Sequence, residues 1–183
     1  MPEPLVLASR SPQRQAILEQ LGIEFRVVVP DVEEVTTGEP RRLVAENARR
    51  KAAAVSGERV LGVDTAVVLD GRAFGKPGDL AEADVFLRRL SGRTHEVMSG
   101  IALRDGRGER SDVAVTRVRF RLLEKAEIDW YLDSGEWAER AGGYAIQGRG
   151  AALVEAIEGD YWNVVGLPVA ALLRLAPDLL RPR

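Results

Sequence analysis

Two carboxylates and two lysines stand out in this chain for the chemistry that their settings invite. Asp64 lies inside a nearly continuous apolar run, Val60 to Leu69. A bare carboxylate in such a run is costly, so it must be paired, hold a cation or titrate high. An acid in that setting is a candidate site residue. Glu34 closes an acidic cluster, Asp31-Val-Glu-Glu34, whose charges repel one another unless a cation sits among them. Of 26 basic side chains only three, Lys51, Lys76 and Lys125, are lysines. A chain that uses arginine almost everywhere marks its retained lysines as places for a compact ammonium rather than a planar fork.

A second constellation opens the chain, in Leu5-Val-Leu-Ala-Ser-Arg-Ser-Pro-Gln-Arg14. Leu5 to Ala8 reads as a buried strand. Ser11 suits an N-cap, because its hydroxyl can accept an N–H of the first helical turn, and Pro12 suits the first helical position. Ile17, Leu18 and Leu21 give the helix an apolar face, and Gly22 suits its left-handed stop. A strand thus delivers a serine-rich turn to a helix mouth, where free N–H groups and the dipole hold anions. With Arg10 and Arg14 beside it, the stretch reads as a phosphate cradle. A third stretch, Gly142-Gly-Tyr-Ala-Ile-Gln-Gly-Arg-Gly150, has glycines dense enough for close approach of backbone to a ligand. Gln147 there offers both a donor and an acceptor, as recognition of a base edge requires.

The elements that must position these groups follow from the pattern. Phe25–Val29 reads as a strand, and residues 36–40 as a polar loop. Arg41–Val55 reads as a helix carrying Lys51 near its end. Arg59–Leu69 is a strand buried on both faces. Asp70-Gly71 suits a two-residue hairpin turn, which would return Lys76 toward Asp64. Asp79–Leu90 is a helix with a capping-box-like start. Thr94–Arg104 and Arg110–Leu122 form a hairpin whose second strand has a wet face. Lys125–Leu132 is a helix closed by Gly135. Ala151–Ile157 and Tyr161–Val165 read as a last hairpin, and Leu167–Leu175 as a closing helix. Trp130, Tyr131 and Trp137 suit core or contact surface, and His95 a structural hydrogen bond. Alternating strands and helices with added hairpins make the fold α/β with a mixed twisted sheet.

Composition narrows the function. The 183 residues fit one domain or two lobes sharing a core. A formal charge of −2 gives no general pull toward nucleic acid or membrane. With no cysteine, disulfides, thiol catalysis and thiolate metal sites are excluded, and one histidine excludes a multi-histidine zinc site. The opening apolar run is too short for a signal peptide, and no stretch is long enough to span a bilayer, so the expectation is a cytoplasmic protein.

Leu-Ala-Ser-x-Ser-Pro-x-Arg near the start resembles the opening motif of the Maf family of nucleoside triphosphate pyrophosphatases. Gly62-Val-Asp-Thr65, Gly75-Lys-Pro77, Leu90-Ser-Gly-Arg-Thr-His95, Gly143-Tyr-Ala-Ile-Gln-Gly148 and Val165-Gly-Leu-Pro168 extend the match in family order. The resemblance implies a single domain over 1–183. It implies an α/β fold of two lobes, a mixed twisted sheet flanked by helices with a cleft between the lobes. A homodimer is implied as well. The implied activity is hydrolysis of a nucleoside triphosphate to monophosphate and pyrophosphate with a divalent metal, magnesium or manganese. Asp64 is then the general base, and Glu34 with Asp64 the metal ligands. Ser9, Arg14, Lys51 and Lys76 hold the triphosphate. Three positions, 13, 65 and 147, separate branches of the family. Thr65 and Gln147 match the branch resembling dTTP and UTP pyrophosphatases, whereas Gln13 matches neither that branch nor the one resembling 7-methyl-GTP pyrophosphatases. The expected substrates are dTTP and UTP. The alternatives are 7-methyl-GTP, or a septation-regulating module that senses nucleotide without turnover.

Overall fold

The computed structural model describes residues 4–180. The elements in chain order are β1 (Leu5–Ala8), α1 (Pro12–Gln20), β2 (Phe25–Val28), α2 (Pro40–Ala53), β3 (Val60–Leu69) and β4 (Arg72–Phe74). There follow α3 (Leu80–Leu90), β5 (Thr94–Asp105), β6 (Gly108–Phe120), α4 (Lys125–Leu132), β7 (Val154–Glu158), α5 (Tyr161–Val165) and α6 (Val169–Leu175). Short 3-10 turns occupy Ala141–Gly143, Arg149–Leu153 and Pro177–Leu180. One sheet of seven strands runs in the order β2-β1-β3-β5-β6-β7, with β4 paired to β3. The β1–β2 and β1–β3 pairs are parallel, and the β3–β4 and β6–β7 pairs antiparallel. The sheet is therefore mixed and flanked by helices, an α/β architecture as the alternation of elements implies.

Contacts divide the chain into two compact units. The first comprises residues 1–65, 99–114 and 166–183, and the second residues 66–98 and 115–165. In the first unit all four residues of β1 are buried, as a strand with parallel neighbours on both sides requires. Its core joins Val6, Ala8 and Val60 of the sheet to Ala48 and Ala52 of α2. Two glycines let that helix lie against the strands. A Cβ on Gly62 of β3 would overlap the carbonyl oxygen of Ala48, and one on Gly100 of β5 that of Val44. Pro40 starts α2, and the Glu39 carboxylate caps it by accepting the N–H groups of Arg41 and Arg42, each at 3.0 Å.

The second unit packs α3 and α4 around a larger core of Val67, Leu87, Leu90, Phe120, Ile128, Tyr131 and Leu153, among others. Asp70 and Gly71 both take positive φ, 52° and 73°, the backbone that a two-residue hairpin turn demands. Asp79 accepts the Glu82 N–H at 2.8 Å and so caps α3. His95 is buried edge-on against Phe120 and Tyr144, and its Nε2 lies 2.8 Å from the Tyr144 hydroxyl.

Two local expectations fail. The last hairpin does not exist: Ala151 lies in a 3-10 turn, only Val154–Glu158 is a strand, and Tyr161–Val165 is a helix. Asp160 starts that helix, accepting the Trp162 N–H at 2.9 Å, and this local bond outweighs the β preference of Trp, Tyr and Val. Ser11 does hold the N-cap position of α1, but its hydroxyl donates to Gln13 Oε1 at 3.0 Å instead of accepting a helix N–H.

Candidate active site

The first unit gathers six of the nine residues singled out for chemistry, and a seventh, Gln13, borders them. The assembly starts from α2 on β3. Asn47 and Lys51, four residues apart, share the face of α2 that also carries Val44, Ala48 and Ala52. Because Gly62 has no side chain, that face meets the strand two residues before Asp64. Lys51 Nζ then donates to Asp64 Oδ1 at 2.7 Å and to Glu34 Oε1 at 2.8 Å. Asp64 and Lys51 are only 9% and 7% exposed, whereas the Glu34 side chain is half exposed.

Sequence reasoning missed Asn47, which is buried and makes three hydrogen bonds. Its Oδ1 accepts the Val35 N–H at 2.7 Å, and its Nδ2 donates to the Val35 carbonyl at 2.9 Å and to Asp64 Oδ2 at 3.1 Å. One amide thereby ties the irregular segment holding Glu34 to the carboxylate of β3. Both Asp64 oxygens accept hydrogen bonds, one from a cation, so burial of this carboxylate is compensated. The signal that could have found Asn47 is a short polar residue on the apolar stripe of a helix, one turn before a retained lysine.

The start of the chain reaches the same cluster through Arg14. Its Nε donates to the Gly166 carbonyl at 2.9 Å, Nη1 to Ser9 Oγ at 2.9 Å and Nη2 to Thr65 Oγ1 at 3.2 Å. Burial pulls this guanidinium below its ordinary pKa, and the charges of Asp64 and Glu34 oppose that pull. Arg14 therefore lies within the electrostatic reach of both carboxylates. Ser9 Oγ also accepts the Ser11 N–H at 3.2 Å. Thr65 Oγ1 is 2.8 Å from Ser99 Oγ, so the hydroxyl next to Asp64 is engaged on both sides. The first N–H groups of α1 have no partner within the helix, as at any helix start, and this mouth opens beside Ser9.

The second unit holds the remaining two residues, Lys76 and Gln147. Pairing of β4 with β3 ends at Phe74 opposite Val67, and Lys76 lies two residues beyond it. Its ammonium is half exposed and meets Glu139 Oε2 at 2.6 Å. Gln147 is exposed in a turn. Three glycines around Gln147 make room for groups of the protein itself. A Cβ on Gly142 would crowd Val67, one on Gly148 would overlap the Glu136 carboxylate, and one on Gly150 the Ala145 carbonyl. Gly142 also needs its φ of 70°.

Oxygen donors suit a hard divalent cation, and magnesium is commonly held by one or two carboxylates together with substrate phosphates. Glu34 and Asp64 already converge on one positive charge, so the donor set fits such an ion. Among the described residues no cluster of three or more His, Cys, Asp or Glu is placed to hold a metal by protein groups alone.

Fold and site together describe an α/β protein whose first unit holds a carboxylate pair, an ammonium and a guanidinium beside a helix mouth. Residues 4–179 match the family model for Maf-like protein, and the chain belongs to that family. It is 52% identical over 171 residues to a dTTP/UTP pyrophosphatase of Symbiobacterium thermophilum, covering 90% of this chain and 88% of the relative. It is 50% identical over 173 residues to one of Thermus thermophilus, covering 94% and 92%. A Deinococcus radiodurans dTTP/UTP pyrophosphatase is 45% identical over 176 residues, covering 93% and 90%. Among solved structures, the Staphylococcus aureus Ham1 protein matches with a TM-score of 0.47 at 17% identity, covering 64% of this chain and 72% of that one. No helix among the described residues is long and apolar enough to cross a membrane.

Proposed function

We propose that this chain is a nucleoside triphosphate pyrophosphatase that hydrolyses dTTP and UTP to the monophosphate and pyrophosphate. The observation that carries the reading is the convergence of Asp64, Lys51 and Glu34 in a chain about half identical to dTTP/UTP pyrophosphatases. Asp64 is the general base: its carboxylate takes a proton from the water that attacks phosphorus. Lys51 and Asn47 fix the direction of that carboxylate. Lys51, Lys76, Arg14, Ser9 and the start of α1 bind the triphosphate, the lysines as point charges. A magnesium or manganese ion, held by Glu34 and Asp64, would supply charge neutralisation at the phosphates.

Base selection rests on Gln13, Thr65 and Gln147. Thr65 contributes through Arg14 and Ser99, to which its hydroxyl is bonded. Gln13 offers an amide to a pyrimidine carbonyl but brings no charge. With this reading go a single domain over 1–183, a homodimer and a cytoplasmic location. The family match runs through both units, which supports the first, and light scattering after gel filtration checks the second.

The test is pyrophosphate release from dTTP, UTP, CTP, GTP and 7-methyl-GTP with magnesium. The expected result is the highest kcat/KM for dTTP and UTP. A lead for 7-methyl-GTP would transfer the chain to that selectivity, and no release from any of the five would leave only nucleotide sensing.

A further inference from the structure

Four charges meet in the first unit, and they sum to zero. Asp64 and Glu34 share the Lys51 ammonium at 2.7 and 2.8 Å, and the buried Arg14 guanidinium feels both carboxylates. Both oxygens of Asp64 are taken, Oδ1 by Lys51 and Oδ2 by Asn47. A divalent ion arriving alone would compete with the ammonium for Asp64 Oδ1 and Glu34 Oε1. Lys51 is 7% exposed, so it would be left buried beside a second cation. Removing the partner of a buried charge is strongly destabilising. The site would also carry two uncompensated positive charges.

We propose that Lys51 is the protein's own counter-cation for the Glu34–Asp64 pair, so that the nucleotide-free site binds divalent metal poorly and the metal enters with the triphosphate. This rests on the pyrophosphatase reading and adds an order of binding to it. The triphosphate brings negative oxygens that give Lys51 new partners, and its charge offsets the metal. The carboxylates are then released to the ion without any buried charge losing its counterpart. The arrangement agrees with the general habit of magnesium, which uses few protein carboxylates together with substrate phosphates.

The test uses the full chain and manganese as the metal probe. Manganese retained by the protein is measured by ultrafiltration, alone and with a dTTP analogue carrying a methylene between the α and β phosphates. The wild-type chain alone should retain manganese at least about tenfold more weakly than with the analogue, corrected for chelate that passes the membrane. Lys51→Met removes the ammonium while keeping much of its length. It should bind manganese without nucleotide at least about tenfold more tightly than wild type, because the two carboxylates then lack their shared ammonium. Equal retention by wild type with and without the analogue overturns the proposal, as does a folded Lys51→Met chain with no gain. If circular dichroism shows that Lys51→Met does not fold, the wild-type pair of measurements decides. Pyrophosphate release from dTTP, assayed separately, tests the underlying reading. A chain that turns dTTP over yet holds manganese tightly by itself overturns only the order of binding.

Discussion

In the first unit the buried ionisable groups lie against partners of opposite charge, whereas in the second burial disfavours the charged forms of His95, Tyr131 and Tyr144. Asp64 and Lys51 lie within hydrogen-bond distance of one another, and Glu34 and Arg14 complete the set of opposite charges. His95 has no such partner. Burial pushes its pKa down to about 4, and burial likewise drives the hydroxyls of Tyr131 and Tyr144 above their ordinary value. The helices differ in the same sense. Small residues, Gly62, Gly100, Ala48 and Ala52, bring α2 down to the sheet with its polar cargo. Large apolar residues fill the space around α3 and α4. One unit thus spends stability on a preorganised charge cluster, and the other recovers stability from apolar burial.

The comparison can be broken most severely at Asp64. Asp64→Asn keeps the shape and removes the base, so turnover should fall about 10²-fold or more while nucleotide binding persists. Near-normal kcat in the Asn variant would show that the charged cluster does not perform the chemistry.

The neutral side of the comparison is tested by pH. His95 is protonated more readily unfolded, near 6.5, than folded, near 4. Its contribution is therefore present above pH 6.5 and is lost as pH falls from there through about 4, amounting to about 3 kcal/mol over the whole window. Urea unfolding of wild type and His95→Gln at several pH values should show a flatter stability profile for the variant. Parallel profiles would mean that His95 titrates alike in both states.

The packing difference is addressed by Gly62→Ala. The new Cβ would overlap the Ala48 carbonyl and displace α2, costing about 2 kcal/mol. Because Asn47 and Lys51 ride on α2, kcat should fall as well. Gly106→Ala is the control: no atom lies within 4 Å of its Cβ, and stability should stay within about 0.5 kcal/mol of wild type. The smallest effect is expected at Lys76, half exposed in the second unit. Lys76→Arg should lower kcat/KM for dTTP about threefold, since a planar fork replaces a compact charge. An unchanged value would remove Lys76 from the set of phosphate contacts.

Much of this was legible in the chain itself. An acid inside Val60–Leu69 had to have partners, and the rarity of lysine pointed to Lys51, which proves to be one of them. Strand and helix order as far as α4 followed from periodicity and from punctuation such as Pro12 and Asp70-Gly71. What could not be read were contacts between segments remote in sequence. Arg14 donates to Gly166, 152 residues away, and nothing local foretells that bond. Asn47 was hidden for a different reason. A polar residue in a helix ordinarily faces water, and only the close approach of α2 to β3 turns it inward. Around Gln147 the density of glycine suits close approach to a ligand, yet the neighbours that Gly142, Gly148 and Gly150 admit are Val67, Glu136 and Ala145. Composition shows that space is needed, not what fills it.

The three lysines also differ in their standing toward electrophiles. Lys76 and Lys125 present side chains 54% and 72% exposed, each beside one surface carboxylate. Lys51 is only 7% exposed, and its nitrogen is engaged by two carboxylates. An acylating reagent needs an unprotonated, reachable amine, so its adducts gather at Lys76 and Lys125 while Lys51 is spared. Mass-spectrometric counting of acylated lysines thereby becomes a gauge of the Lys51 environment: an adduct at Lys51 reports that its carboxylate bridge has opened with no other anion in its place.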